Sequence, residues 1–115
     1  MLIVEDEVLL ALSIEDMLIE LGYSVAGTAT RIDKALSLAA ESEFDLAVLD
    51  INLAGAHTFP VAGILRSRGI PFIFMSGYGT DGLPDAFVGS HLLTKPFSLK
   101  ELEQKLIKAL SESLV

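Results

Sequence analysis

Five short apolar runs alternate along the chain with longer stretches whose apolar positions recur at helical spacing. The runs are MLIV (1–4), YSVAGTA (23–29), FDLAVL (44–49), IPFIFM (70–75) and HLLT (91–94). Most are nearly continuous in apolar character, as strands covered on both faces require. The second, with Ser24 and Thr28, reads as an edge strand. Over 8–21, Leu10, Ile14, Met17, Leu18 and Leu21 share one helical stripe, while Ser13, Asp16 and Glu20 share the other. Gly22 follows where a helix C-terminal glycine belongs. Over 31–42, Ile32, Ala35, Leu36 and Ala39 repeat at i, i+3, i+4 and i+7. A weaker stretch, 59–68, has Pro60 suited to its first turn and Gly69 to its end. The last helix, 99–113, starts with Ser98 and Glu101 at capping-box spacing and carries Leu99, Leu102, Leu106, Ala109 and Leu110 on its stripe. Residues 76–90, SGYGTDGLPDAFVGS, hold Gly77, Gly79, Gly82 and Gly89 beside Pro84, so any helix there is short, about 83–88.

Strand–helix alternation of this kind means βαβ units with parallel strands and right-handed crossovers. The expected fold class is α/β: a doubly wound domain with a five-stranded parallel sheet, occupying residues 1–115 as a single domain. Periodicity does not set the strand order. A hydrophobic content of 51% in 115 residues is enough for a real core. With no cysteine, disulfides and thiolate metal sites are excluded. No apolar run approaches the roughly 20 residues of a membrane span, and no signal-peptide pattern is present. A cytoplasmic location is expected. The net charge of −8 disfavours direct contact with nucleic acid or anionic lipid. Among the acids, Glu5, Asp6 and Glu7 stand in a row.

The ends of the apolar runs carry the chemistry. Glu5 and Asp6 follow the first run, Asp50 the third, Ser76 the fourth and Lys95 the fifth. In a parallel sheet these positions share the carboxyl edge, where open α/β sheets place their ligands. Close carboxylates repel and are stabilised by a divalent cation, and hard oxygen donors suit Mg²⁺. A lysine supplies a fixed positive charge for phosphoryl oxygens, and a serine hydroxyl donates a hydrogen bond. Asp50 is left as a carboxylate nucleophile for phosphoryl transfer. Each residue alone has a plainer reading. The acids suit a helix N-terminus, Asp50 and Ser76 suit turns, and Lys95 suits a solvated surface. Five such residues at corresponding strand ends favour a common site. His57 and His91 lack a second nitrogen ligand at useful spacing and read as structural or exposed. Tyr23 and Phe44 read as packing residues.

The motifs IVEDE (3–7), LAVLDINLAG (46–55), FIFMSGYG (72–79) and LLTKPF (92–97) together resemble the receiver domain of bacterial two-component response regulators, over essentially the whole chain. The resemblance implies a flavodoxin-like (βα)5 fold with strand order 2-1-3-4-5. It implies Asp50 as phosphoacceptor, Asp6 binding Mg²⁺ directly, Glu5 assisting through water, and Asn52 offering its backbone carbonyl to the metal. Ser76 and Lys95 would contact the phosphoryl group, and the Lys95–Pro96 bond would be cis. The implied donor is a sensor histidine kinase or a histidine phosphotransfer domain. The implied output is a partner protein or domain, reached from a monomer or weak dimer. Such a chain is a switch that catalyses only its own phosphorylation and dephosphorylation. FMSGYG partly resembles the receiver subfamily with the consensus Phe-Ala-Thr-Gly-hydrophobic-Tyr, from which Met75 and Gly79 differ. Many receivers have an aromatic residue where Leu92 stands and a proline where Ala54 stands. Signalling through ordering of 77–90, rather than through an aromatic rotamer, is the corresponding expectation. A phosphohydrolase of the haloacid dehalogenase type is the alternative, but it needs a general-acid aspartate where this chain has Asn52. A pseudo-receiver acting only by binding is a third reading, disfavoured by the complete residue set.

Overall fold

The computed structural model describes residues 1–77 and 83–113. In chain order the strands are β1 (Leu2–Val4), β2 (Gly27–Ala29), β3 (Ala47–Asp50), β4 (Asn52–Leu53), β5 (Ala56–His57), β6 (Phe72–Ser76) and β7 (His91–Thr94). The α-helices are α1 (Val8–Glu20), α2 (Ile32–Glu41), α3 (Phe59–Ser67) and α4 (Leu99–Ser113). Five strands form one parallel sheet in the order β2-β1-β3-β6-β7. Since β4 and β5 form a separate antiparallel hairpin, this is the expected 2-1-3-4-5 order of the five apolar runs.

Period-two alternation sends neighbouring side chains to opposite faces of the sheet. Leu2, Val4, Ala47, Leu49, Phe72 and Phe74 pack with Ala35 and Ala39 of α2 and Val61 and Leu65 of α3. Ile3, Val48, Ile73 and Met75 pack with Ile14 and Leu18 of α1 and Leu102 and Leu106 of α4. Both faces are covered, which is why the runs read as continuously apolar. At one end of the first core layer, the Phe74 ring meets Phe59, Phe72 and Phe87 in edge-on contacts at 5.9, 5.3 and 5.7 Å.

The helix ends follow local chemistry. Gly22 and Gly69 take φ of 94° and 73° just past α1 and α3, the left-handed conformation that glycine adopts without a Cβ clash. The capping box at α4 is reciprocal: the Ser98 amide donates to Glu101 Oε1 and the Glu101 amide to Ser98 Oγ, both at 3.1 Å.

Three expectations need adjustment. The second apolar run is a strand only over Gly27–Ala29, because its partner begins at Leu2, opposite Gly27. Asp50 and Ser76 end β3 and β6 within the ladder, opposite Met75 and Thr94, rather than following the strands. The short helix expected near 83–88 is a single 3₁₀ turn, Asp85–Phe87, after Pro84. Of the glycine-rich stretch, residues 78–82 lie outside the described residues.

Candidate functional site

β1, β3, β6 and β7 deliver their carboxyl ends to one rim of the sheet. Glu5 follows β1 and is fully buried; its amide donates to the Ala29 carbonyl of the neighbouring strand at 3.0 Å. Asp50 ends the central strand and is 8% exposed. Oxygens of Glu5, Asp6 and Asp50 all lie within 4.8 Å of one another. Lys95, just after β7, reaches across the rim: its Nζ donates to Glu5 Oε1 at 2.8 Å and to Asp50 Oδ2 at 3.1 Å. Its amide donates to the Ser76 carbonyl at 2.8 Å, which joins the ends of β6 and β7. Ser76 is buried opposite Thr94, next in β6 after Met75, the partner of Asp50. The Lys95–Pro96 peptide is cis, as the resemblance implied.

The electrostatics follow from crowding. Burial pushes Glu5 up to about 7, against the lowering effects of the Lys95 ammonium and the Glu7 amide. Burial alone would raise Asp6, but hydrogen bonds from Glu5 and the Ala54 amide outweigh it and hold the carboxyl below its ordinary value. Burial alone would lower Lys95; hydrogen bonds to Glu5 and Asp50 outweigh that and hold the ammonium above the usual lysine value. Three hard carboxylate donors on one rim, one partly open to solvent, fit a small divalent cation that keeps some of its waters.

The hairpin of β4 and β5 was not foreseen from the sequence. It follows Asp50 directly and pairs Asn52 with His57 and Leu53 with Ala56. Its two turn residues, Ala54 and Gly55, have φ of 50° and 89°. Two successive positive φ values are what a tight hairpin turn needs, and they match the twist of the flanking strands. Proline, held near −65°, does not fit position 54 in this turn. The turn aims the Ala54 amide at Asp6 Oδ2, 3.1 Å away. Asn52 is exposed, and its Oδ1 accepts the Gly55 amide at 3.0 Å. Its side chain is thus engaged within the turn.

Thr58 is the other residue missed. It is fully buried, and its hydroxyl donates to the main-chain carbonyl of Asp50. A threonine before Phe59-Pro60 signals a helix cap in sequence, not a contact with the neighbouring strand. The candidates outside the rim behave plainly. His91 lies 2.6 Å from Glu112, and His57 packs edge-on against Phe59 at 5.3 Å. Leu92 packs against the phenylalanine layer. A depression of about 520 Å³ near Arg66, His91 and Glu112 is lined by none of the rim residues.

A doubly wound sheet with three acids, a buried serine and a bridging lysine on one carboxyl rim defines an α/β domain with a cation-suited site at the ligand-binding edge of its sheet. The response regulator receiver domain model matches residues 1–107, and the chain belongs to that family, whose members are phosphorylation-controlled switches. The transcriptional regulatory protein PdtaR of Mycobacterium tuberculosis is 30% identical over 106 residues, covering 88% of this chain and 51% of that protein. The chain spans about half the length of the curated relatives it matches. SdrG from Sphingomonas melonis Fr1 superposes with a TM-score of 0.80 at 38% identity, covering 99% of this chain and 94% of that one. SdrG is also known in a BeF3-activated conformation. The receiver domain of sensor histidine kinase PA1611 from Pseudomonas aeruginosa PAO1 has a TM-score of 0.82 at 26% identity, covering 96% of this chain and 95% of that one. Its structure has a magnesium ion coordinated in the active site cleft. In this chain, no described helix is long and apolar enough to cross a membrane.

Proposed function

We propose that residues 1–115 act as one receiver domain in which Asp50 accepts a phosphoryl group from a phosphohistidine of a sensor histidine kinase or histidine phosphotransfer domain. The observation that carries this reading is Lys95 Nζ within hydrogen-bond reach of both Asp50 and Glu5, beside the three-carboxylate cluster. An Asp50 carboxylate oxygen attacks phosphorus in line. The phosphorus–nitrogen bond of the donor breaks, and its electron pair returns to the imidazole nitrogen, which regains a proton. Lys95, 3.1 Å from Asp50 Oδ2, is in reach of an oxygen introduced there and offsets its charge. The Ser76 hydroxyl donates to another phosphoryl oxygen. Asp6, Asp50 and the Asn52 backbone carbonyl would hold Mg²⁺, with Glu5 acting through water. When bound, the ion supplies charge neutralisation of the transferring group.

Exposed Val8, Leu9 and Leu12 on α1 lie in the turns that follow the acids, and they suit a helix of the donor protein. The 76–97 region is the element proposed to switch, controlling an output partner or domain. Its described part is held to α3 through Phe87 stacked on Phe59 at 5.7 Å and through Arg66, which donates to the Ala86 carbonyl at 2.6 Å. A change at Ser76 therefore has a packed element to act on. As a switch, the chain would turn over no external substrate.

Incubation with acetyl phosphate and Mg²⁺, followed by intact mass measurement, tests the assignment. The parent chain gains one phosphoryl group and Asp50→Ala gains none. An adduct of equal yield in the variant overturns it.

A further inference from the structure

Thr58 occupies the N-cap position of α3, where a threonine hydroxyl ordinarily accepts a helix amide. It makes no such bond here. The hydroxyl donates instead to the main-chain carbonyl of Asp50, with the Ile51 carbonyl a further 3.3 Å contact. The Thr58 amide donates to the Ile51 carbonyl at 2.9 Å, and the Thr58 carbonyl accepts the Ala62 amide at 3.1 Å, opening the helix. One fully buried residue thus ties the end of β3 to the start of α3.

Between these two ties the chain has only the hairpin. Its length is set at one end by Asp50 and at the other by Thr58. Its turn puts the Ala54 amide on Asp6 Oδ2. A continuous set of hydrogen bonds runs from the Asp50 main chain, through Thr58 and the β4–β5 pairs, to the Asp6 carboxylate. A helix cap could have been made by this hydroxyl without any such link.

We propose that Thr58 is a positioning residue: its buried hydroxyl sets the hairpin that orients Asp6 and Asp50 towards a shared divalent cation. The inference rests on the reading of the rim as a Mg²⁺-assisted phosphoacceptor site. Partners that orient metal-binding side chains change metal affinity by roughly 10–100-fold when removed. Thr58 acts through the main chain, so the lower end, about tenfold, is expected.

The experiment compares Thr58→Val, which keeps the shape and loses the hydroxyl, with Thr58→Ser, which keeps the hydroxyl. Mg²⁺ affinity is read by amide chemical shifts on the folded protein, alongside the rate of phosphorylation by acetyl phosphate at saturating Mg²⁺. Leu18→Val, in the opposite core layer, controls for a general loss of stability. Thr58→Val weakens Mg²⁺ binding about tenfold and moves the Ala54 amide resonance in the metal-free protein. Thr58→Ser stays close to the parent, and Leu18→Val leaves the affinity unchanged. Parent-like affinity and rate in folded Thr58→Val overturn the proposal, as does an equal loss in Leu18→Val. Should Thr58→Val not fold, Thr58→Ala decides. It removes the same hydroxyl with a smaller side chain, and parent-like Mg²⁺ affinity there also overturns the proposal. A parent chain that binds no Mg²⁺ and takes no phosphoryl group instead sinks the phosphoacceptor reading, and the role of Thr58 falls with it.

Discussion

Lys95→Met removes the cation that neutralises two buried carboxylates while keeping an unbranched side chain of similar length. The consequence depends on pH in a direction set by Glu5. In the unfolded chain Glu5 ionises near its ordinary value of 4.5, whereas burial in the folded protein pushes it up to about 7. Between those values the native state holds a proton that the unfolded state has released. This group therefore lowers stability as pH rises through that window, and its contribution levels off above about 7. Lys95 is one of the influences that lower Glu5, so its loss extends the window upward.

At pH 6 Glu5 is largely protonated in both proteins. The variant then loses mainly the charged hydrogen bond to Asp50, worth about 2 kcal/mol. At pH 8 the parent's Glu5 is ionised and paired with Lys95 at 2.8 Å. The variant must keep a proton there or leave a buried charge unpaired. Each pH unit over which only the variant holds the proton adds about 1.4 kcal/mol. The expected loss is thus about 2 kcal/mol at pH 6 and about 3 kcal/mol at pH 8, the latter at the low end of the roughly 3–5 kcal/mol for breaking a buried pair. Urea unfolding of both proteins in EDTA at the two pH values measures it. Equal losses at pH 6 and pH 8 would refute the coupling of Lys95 to Glu5, and a loss below about 1 kcal/mol at both would refute the buried bridge itself.

Mg²⁺ at about 100 times its dissociation constant should stabilise the parent by about 2.7 kcal/mol. For a chain of this size that is a Tm rise of roughly 10 °C; calorimetry showing the same rise in Asp6→Asn would place the metal elsewhere. Phe74→Ala should cost about 3–5 kcal/mol, because Phe74 is fully buried with three phenylalanine rings against it; denaturant midpoints check this, and a loss under about 1 kcal/mol would mean that the layer collapses freely. Ala54→Gly should raise stability by up to about 1 kcal/mol, since Ala54 sits at φ 50° where a Cβ is unfavourable; a thermal shift in the opposite direction would show that entropy of the unfolded chain outweighs the relieved strain.

Much of the fold is legible because it rests on short-range physics. Continuous apolar runs such as Leu2–Val4 and Phe72–Met75 have no exposed face, which implies cover on both sides. The α4 capping box and the glycines past α1 and α3 mark their helix ends locally. The candidate site is legible for a related reason. Glu5, Asp50, Ser76 and Lys95 each stand at the end of an apolar run, so parallel topology alone brings them to one edge.

The hairpin is different. INLAGAH carries no alternating run long enough to signal strands, and its register is set by where Asp50 and Thr58 are already held. Thr58 itself looks like a helix cap in sequence, and only the packed neighbour strand offers its hydroxyl the Asp50 carbonyl. The extent of β2 likewise depends on where β1 begins.

The amino-acid order by itself therefore determined the α/β class, the approximate extents of the four α-helices and the identity of the acids, serine and lysine, because each follows from local periodicity and the direction of parallel strands. Tertiary structure decided which of Lys95's neighbours share its charge, that Glu5 is fully buried, and that Thr58 and Ala54 hold Asp50 and Asp6. Those outcomes depend on distances across the chain between groups far apart in sequence, and such distances exist only once the sheet has closed its packing.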